Sequence, residues 1–168
     1  LKGNEMIVKP DDVMRKILAH VNTLSEVERS LPDCLGHVAV ENIYTGVDLP
    51  QSDISRFDGY AMRSDDLHGA THDNPAVLRI IGTARAGCPS HRYVKRGTAI
   101  RIMTGAVVPG GADCVVPFED TDEPGDRKGP NKLNPSKVAV YTKRSKEDNI
   151  CIAGSRVPKG SLLVRKGD

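Results

Sequence analysis

Two short stretches contain residue types that could do chemistry. "SRFDGYAMRSDD" places Asp58 between Phe57 and Tyr60, and "AIRIMTGA" is a β-rich run that ends at Thr104 and Gly105. A carboxylate can hold a hydrated divalent cation or orient a water molecule, and a hydroxyl at a strand end can position an oxyanion. Simpler interpretations stay open, because Asp-Gly is a common turn dipeptide and Thr104 could cap its own turn.

Other candidate residues give weaker signals, and none is assigned as a metal ligand. His68 and His72 could share a metal only on a helix, whereas their segment is typical of a loop. Glu119 could join the ligands of a divalent ion, but a solvated strand end is the simpler interpretation. Arg101 could contact an anion or pair with a carboxylate across a sheet.

Composition indicates an ordinary soluble protein. The 168 residues are 38% hydrophobic with a net charge of +2, which is too mild to favour nucleic acid or a membrane surface. The apolar runs are far shorter than the ~20 residues that a membrane span needs, and the N-terminus lacks a signal-peptide core. Four cysteines without a C-x-x-C pair favour a reducing, cytoplasmic location. The ends of the sequence predict a piece of a longer protein.

The elements that must position Asp58 and Thr104 are mainly strands. Residues 10–22 have apolar spacing typical of a helix, and a second short helix is predicted at 32–35. A strand is predicted over "HVAVENIY", followed by a mostly antiparallel β unit. Its short β-branched runs are 77–82, 99–104, 114–118, 137–142 and 161–166. The polar segment 122–136, rich in Pro and Gly, predicts an exposed hairpin tip or a partly disordered loop.

Taken together, "DGYA" and "RIMTGA" resemble two motifs of the MoeA and gephyrin E-domain family, the molybdopterin molybdenumtransferases. The resemblance extends over about residues 10–168 through "LPDCLGHVAVENI", "DLPQSDISRFDGYA" and "GTARAGCPSHRYVKRGTAIRIMTGA". It implies the N-terminal region of a molybdenum insertase, which incorporates molybdate into adenylylated molybdopterin with the help of Mg²⁺.

The resemblance also implies site residues and partners. Asp58 and Thr104 would be catalytic residues on a shared rim of the cleft. The cofactor-binding residues would be Gly59, Tyr60, Arg101 and Gly105. The implied partners are a second copy in a homodimer and the missing C-terminal molybdopterin-binding domain, with a molybdopterin adenylyltransferase as a further possibility.

The expected fold class is α+β, mostly β, with an N-terminal helical segment and an inserted β-rich subdomain. Residues 1–45 with 146–168 would form a discontinuous dimerisation subdomain, and 46–145 the inserted β-rich one. The apolar helix residues Val13, Ile17 and Val21 would supply dimer contacts, unless they only fill the core of their own chain.

Three departures from the family pattern keep a second hypothesis open. Phe57 replaces a methionine, and the family's "NIRxxGED" appears as "NICIAGSR", with Cys151 in place of an arginine and Arg156 in place of an acidic residue. The molybdopterin-binding domain is also absent, so the chain alone should not turn over substrate. The alternative is a divergent, non-catalytic homologue that acts as an assembly or ligand-binding module.

Overall fold

The computed structural model describes residues 9–123 and 136–168, which are mostly strands and loops with a single α-helix among them. The α+β, mostly β fold class is confirmed. The helix α1 spans Pro10–Leu18, and 3₁₀ turns span Leu31–Cys34, Ser64–Leu67 and Phe118–Asp120. The described strands are β1 (Ile43–Tyr44), β2 (Ile54–Ser55), β3 (Gly59–Met62), β4 (Ala76–Ala84), β5 (Thr98–Ile102), β6 (Cys114–Pro117), β7 (Lys137–Val140), β8 (Ile150–Cys151) and β9 (Leu162–Val164).

A five-stranded sheet forms the centre of the β-rich region, in the order β6-β3-β5-β4-β7. Its pairs are antiparallel except for β4 and β5, which run parallel. The segment 85–97 returns the chain from the end of β4 to the edge of the sheet at which β4 begins, so β5 runs in the same direction. Two short antiparallel pairs, β1-β9 and β2-β8, accompany it. The prediction of a mostly antiparallel β unit is therefore correct, with one parallel exception.

Apolar side chains pack on both faces of the sheet around β3. Tyr60 and Met62 belong to one buried cluster, and Ala61, Ile100 and Ile102 belong to the other. Neighbouring residues of β3 thus pack on opposite faces, as the twofold period of a strand requires. Because β3 is buried on both faces, the ends of this strand are where a neighbouring polar site can reach solvent.

Two compact units divide the chain, Leu1–Asn42 with Arg165–Asp168 and Ile43–Val164. In the first unit, the amide of Ala39 donates to the carbonyl of Asp168 (2.9 Å), and the amide of Gly167 donates to the carbonyl of Ala39 (2.9 Å). The predicted subdomains, 1–45 with 146–168 and 46–145, stay a prediction.

Several predicted elements are shorter than expected. The helix ends at Leu18 rather than at residue 22, and of the strand predicted over 37–44 only Ile43–Tyr44 pairs. The short runs from 77 to 166 each contain an observed strand. Most of the predicted hairpin tip, 122–136, lies outside the described residues.

Candidate active site

Asp58 and Thr104 meet at one edge of the β-rich unit. Asp58 Oδ1 accepts hydrogen bonds from the Thr104 amide at 2.8 Å and from the Thr104 hydroxyl at 2.7 Å. Asp58 is half-buried in the link between β2 and β3, whereas Thr104 is exposed two residues after the end of β5. The two motifs that suggested chemistry therefore form one accessible polar site.

The turn that carries Thr104 is held by its own backbone. The Ala106 amide donates to the Met103 carbonyl at 2.9 Å, and the Gly105 amide donates to the Ser55 carbonyl at 2.9 Å. Gly105 has a φ of +77°, which the third position of a type II turn requires and which favours glycine. This turn needs Gly105 for its conformation.

These hydrogen bonds change the expected chemistry of the strand end. The amides of Thr104, Gly105 and Ala106 all donate within the chain, so they are not available to bind an oxyanion beside the Thr104 hydroxyl. The Thr104 hydroxyl also uses its hydrogen as a hydrogen-bond donor to the Asp58 carboxylate. The site consequently presents carboxylate and hydroxyl oxygens, which attract cations and hydrogen-bond donors rather than a bare oxyanion.

Gly59 follows Asp58 for a reason other than a positive φ. It is the first residue of β3 and pairs with both Ile102 of β5 and Pro117 of β6. A Cβ atom at this position would lie 2.0 Å from the Val116 carbonyl oxygen. Only glycine permits this approach of the two strands, which fixes the chain immediately after Asp58.

Ser55, which the sequence analysis did not single out, organises the link before Asp58. Its hydroxyl donates to the Phe57 carbonyl at 2.6 Å and accepts from the Phe57 amide at 3.3 Å. The Phe57 side chain is 48% exposed, so its ring provides no buried packing for the turn. A serine two residues before a turn residue is the local signal that could have revealed this role.

Tyr60 and Arg101 are joined by Glu123, another residue that the sequence analysis did not single out. The Tyr60 hydroxyl donates to Glu123 Oε2 at 2.5 Å, and Arg101 Nη2 donates to Glu123 Oε1 at 2.7 Å. The Tyr60 ring meets the Phe118 ring edge-on, and the Arg101 guanidinium lies 4.5 Å from the centre of the same ring. Of the two roles considered for Arg101, the structure shows the ion pair with a carboxylate.

This environment stabilises neutral Tyr60 and charged Arg101. Burial, with the hydrogen bond to Glu123, raises the pKa of the Tyr60 phenol well above its usual range. Burial alone would lower the pKa of Arg101, but the hydrogen bond and charge of Glu123 outweigh it and raise that pKa. Tyr60 and Arg101 are thus parts of a partly buried network within the chain.

Cys151, the first departure in "NICIAGSR", lies in β8 opposite Ile54 of β2. It is buried, and its sulfur lies 3.4 Å from the Ser155 hydroxyl oxygen. The hydrogen bond with Ser155, followed by the charge of Arg156, lowers the pKa of the Cys151 thiol. Arg156 itself is exposed.

Within residues 9–123 and 136–168, no group of three His, Cys, Asp or Glu side chains is arranged to hold a metal ion. The His72 ring stacks on Tyr141, with centroids 4.7 Å apart, and Asp120 pairs with Arg144. Mg²⁺ is often held by one or two carboxylates together with water and substrate phosphates. Asp58 fits the role of a single carboxylate ligand of that kind.

Comparisons with known proteins identify the family of this chain. Residues 8–168 match the family model described as the MoeA N-terminal region (domain I and II). The chain belongs to this family. Both motifs of the Asp58–Thr104 site lie inside the matched region, and so do all the strands of the sheet.

Individual relatives cover nearly the whole chain. It is 33% identical over 166 residues to a Staphylococcus aureus protein named molybdopterin molybdenumtransferase, covering 99% of this chain and 37% of that protein. A Staphylococcus epidermidis protein of the same name is 31% identical, covering 93% of this chain and 35% of its own length. This chain therefore spans little more than a third of those relatives.

A solved structure supports the same fold. The molybdopterin biosynthesis MoeA protein from Pyrococcus horikoshii OT3 superposes with a TM-score of 0.77 at 30% identity, covering 93% of this chain and 39% of that one. Among the residues that the structure describes, no helix has the length and apolar character needed to cross a membrane.

Proposed function

We propose that this chain is the N-terminal part of a molybdenum insertase, which incorporates molybdate into adenylylated molybdopterin during molybdenum-cofactor biosynthesis. The observation that carries the proposal is the pair of hydrogen bonds between Asp58 and Thr104, which unites the "DGYA" and "MTGA" motifs at an accessible edge. The family membership and the names of the relatives support it.

In this proposal, Thr104 orients Asp58, and the Asp58 carboxylate acts on the substrate. The Thr104 amide and hydroxyl fix one carboxylate oxygen, so the carboxylate is held in one orientation before the substrate arrives. Asp58 would also hold a hydrated Mg²⁺, which would neutralise charge on an anionic substrate. Gly59 and Gly105 shape the backbone on either side of the pair.

Other parts of the protein complete the site. An oxyanion substrate requires donors or cations, and the amides around Thr104 are already used within the chain. We therefore assign the substrate-binding cations to the C-terminal domain, in a homodimer where one copy contributes the Asp58 edge and the other the molybdopterin pocket. A cytoplasmic location and a contact with molybdopterin adenylyltransferase belong to the same proposal.

The non-catalytic alternative is not favoured. The relatives that match this chain are named as transferases. The substituted "NICIAGSR" segment coexists with the Asp58–Thr104 hydrogen bonds, because Cys151 is accommodated in β8 and the exposed Arg156 needs no space in the core.

The deciding experiment uses the full-length protein with Asp58→Asn. The amide keeps the shape of the side chain and removes its charge, so molybdate-dependent cofactor formation should fall about 100-fold or more. Asp65→Asn is the matched control, because Asp65 is an exposed carboxylate whose partner is Arg63 on the surface. Equal activity of both variants would remove Asp58 from the mechanism.

A further inference from the structure

A groove with a cavity volume of about 370 Å³ lies on the β-rich unit, away from the Asp58–Thr104 pair. One wall includes Thr98, the first residue of β5, whereas Thr104 lies beyond the last residue of that strand. The groove is lined by Arg79, Ile81, Arg92, Tyr93, Lys95 and Thr98. Its volume is in the range of pockets that take small ligands.

Three of the lining residues are cations. In the described part of the chain, Arg79, Arg92 and Lys95 form no ion pair with a carboxylate. A carboxylate near this region, that of Asp66, accepts the amide of Gly97 at 2.9 Å and does not line the groove. Three cations without a neutralising carboxylate in one concave surface attract an anion.

The backbone that carries Lys95 is fixed. The Thr98 hydroxyl accepts the Lys95 amide at 2.8 Å and donates to the Lys95 carbonyl at 2.7 Å. Because this hydroxyl already donates its hydrogen bond to the Lys95 carbonyl, it is not a donor for an incoming ligand. An anion in the groove must therefore be held by the cationic side chains.

The side chain of Arg92 lies against Gly82 of β4, where no side chain occupies the space. A Cβ atom at Gly82 would lie 3.0 Å from Arg92 Cδ, so the glycine leaves room for the arginine stem. Arg79, also on β4, lies opposite Thr98 in the parallel pair of β4 and β5. The strand thus brings two guanidinium groups to the same cavity.

Tyr93 supplies a fixed aromatic surface beside these cations. Cβ atoms at Gly110 and Gly111 would lie 3.2 Å and 2.5 Å from opposite edges of its ring, so one face of the ring rests on this glycine pair. The residue is nevertheless 64% exposed. An exposed ring with one face supported, next to arginines, is typical of surfaces on which nucleic acid bases stack.

We propose that this groove binds a mononucleotide, with its base stacked on Tyr93 and its phosphate held by Arg79, Arg92 and Lys95. A planar ring with a single phosphate group matches both parts of the cavity. The inference does not rest on the proposed insertase function, since the groove shares no residue with the Asp58–Thr104 site.

Isothermal titration calorimetry on the full-length protein tests this inference, at a low salt concentration of about 50 mM. The titrants are the four ribonucleoside 5′-monophosphates, the matching nucleosides and inorganic phosphate. At least one monophosphate should bind about tenfold more tightly than its nucleoside and than phosphate alone, because the ring and the charge both contribute.

Substitutions of the lining residues test whether the monophosphate binds in the groove. Arg79→Gln with Lys95→Gln should weaken monophosphate binding about tenfold or more, and Tyr93→Leu should weaken it about fivefold or more. Arg96→Gln is the matched control, because it removes one exposed cation from the same loop outside the groove lining and should leave affinity unchanged. Thermal unfolding of each variant confirms that the fold is retained.

Three results would overturn the proposal. The first is no saturable binding of any monophosphate up to about 10 mM. The second is equal affinity for phosphate and for the nucleotide, which would leave Tyr93 without a role. The third is binding that survives the Arg79 and Lys95 changes, or falls equally in the Arg96 control, which would place the nucleotide elsewhere.

Discussion

The Tyr60 hydroxyl donates to the Glu123 carboxylate at 2.5 Å across 63 residues of sequence, and the same carboxylate pairs with Arg101. Tyr60 belongs to β3 and Arg101 to β5, and these two residues lie opposite each other in the sheet. Glu123 therefore joins the strand that follows Asp58 to the strand that precedes Thr104. Its contribution to stability should be larger than that of a surface ion pair.

We expect Glu123→Ala to lower the free energy of unfolding by about 2 kcal/mol, because it leaves the Arg101 charge and the Tyr60 hydroxyl partly buried without this partner. Urea denaturation of the 168-residue chain measures the change. Asp65→Ala is the control, since it removes the more exposed carboxylate that pairs with Arg63, and it should cost less than about 0.5 kcal/mol. Equal losses in the free energy of unfolding would show that the Glu123 network stabilises the fold no more than a surface ion pair does.

Gly59 should tolerate no side chain. Gly59→Ala would bring Cβ to within 2.0 Å of the Val116 carbonyl oxygen, so β3 and β6 would have to separate. We expect a loss of about 3 kcal/mol in the free energy of unfolding, or failure to fold. Soluble yield and urea denaturation of the chain measure this outcome.

Gly46→Ala provides the comparison for this change. Gly46 is exposed, a Cβ atom added to it would have no atom within 4 Å, and its φ is outside the left-handed region. Its substitution should change stability by less than about 1 kcal/mol. A Gly59 variant as stable as the Gly46 variant would contradict the strand approach described above.

The sequence predicted the meeting of the two motifs better than it predicted the chemistry at their meeting point. "DGYA" and "RIMTGA" are recognisable because Gly59 and Gly105 are required by the backbone, and such requirements leave a local pattern. The use of the Thr104 and Gly105 amides within the chain depends on Asp58 and Ser55, which are distant in sequence. No spacing rule could have revealed that the donors are occupied.

The helices and strands likewise could be predicted where the cause is local in sequence and could not where the cause is a distant residue. Short β-branched runs between turns located β4 to β7, because strand patterns and turn residues act locally. The end of α1 at Leu18 rather than at residue 22 was not predictable, since the apolar spacing continues to Val21 without a glycine or proline to end the helix. Glu123 was missed because a carboxylate in a polar segment has no local sign of a partner on β5.

Cys114 should make stability depend on pH in the alkaline range. Burial, together with the charges of Asp113 and Asp148, raises the pKa of its thiol to about 12 from an ordinary value of 9.0. The folded state thus keeps the neutral thiol while the unfolded state ionises as pH rises through about 9. Below that pH, ionisation of Cys114 does not change the free energy of unfolding. Above it, the free energy of unfolding should fall by up to about 1.4 kcal/mol per pH unit.

Urea denaturation from about pH 8 to 10.5 under reducing conditions measures this slope. Cys114→Ala should reduce the slope of the free energy of unfolding against pH. Cys88→Ala, which changes an exposed cysteine, should retain it. A Cys114 variant with the slope of the unchanged chain would show that this thiol does not contribute.

The apolar residues of α1 provide a test of the proposed homodimer. Val13 is 41% exposed and Ile17 is 54% exposed within the chain, so they do not fill the interior of its described part. In the full-length protein, Ile17→Asp would place a charge on this apolar surface and should weaken dimerisation by about tenfold or more. Lys16→Asp introduces the same residue at the neighbouring position, which is polar, and should leave the dimer intact. Sedimentation equilibrium of both variants measures the dissociation constant, and a dimer unaffected by Ile17→Asp would exclude this helix surface from the interface.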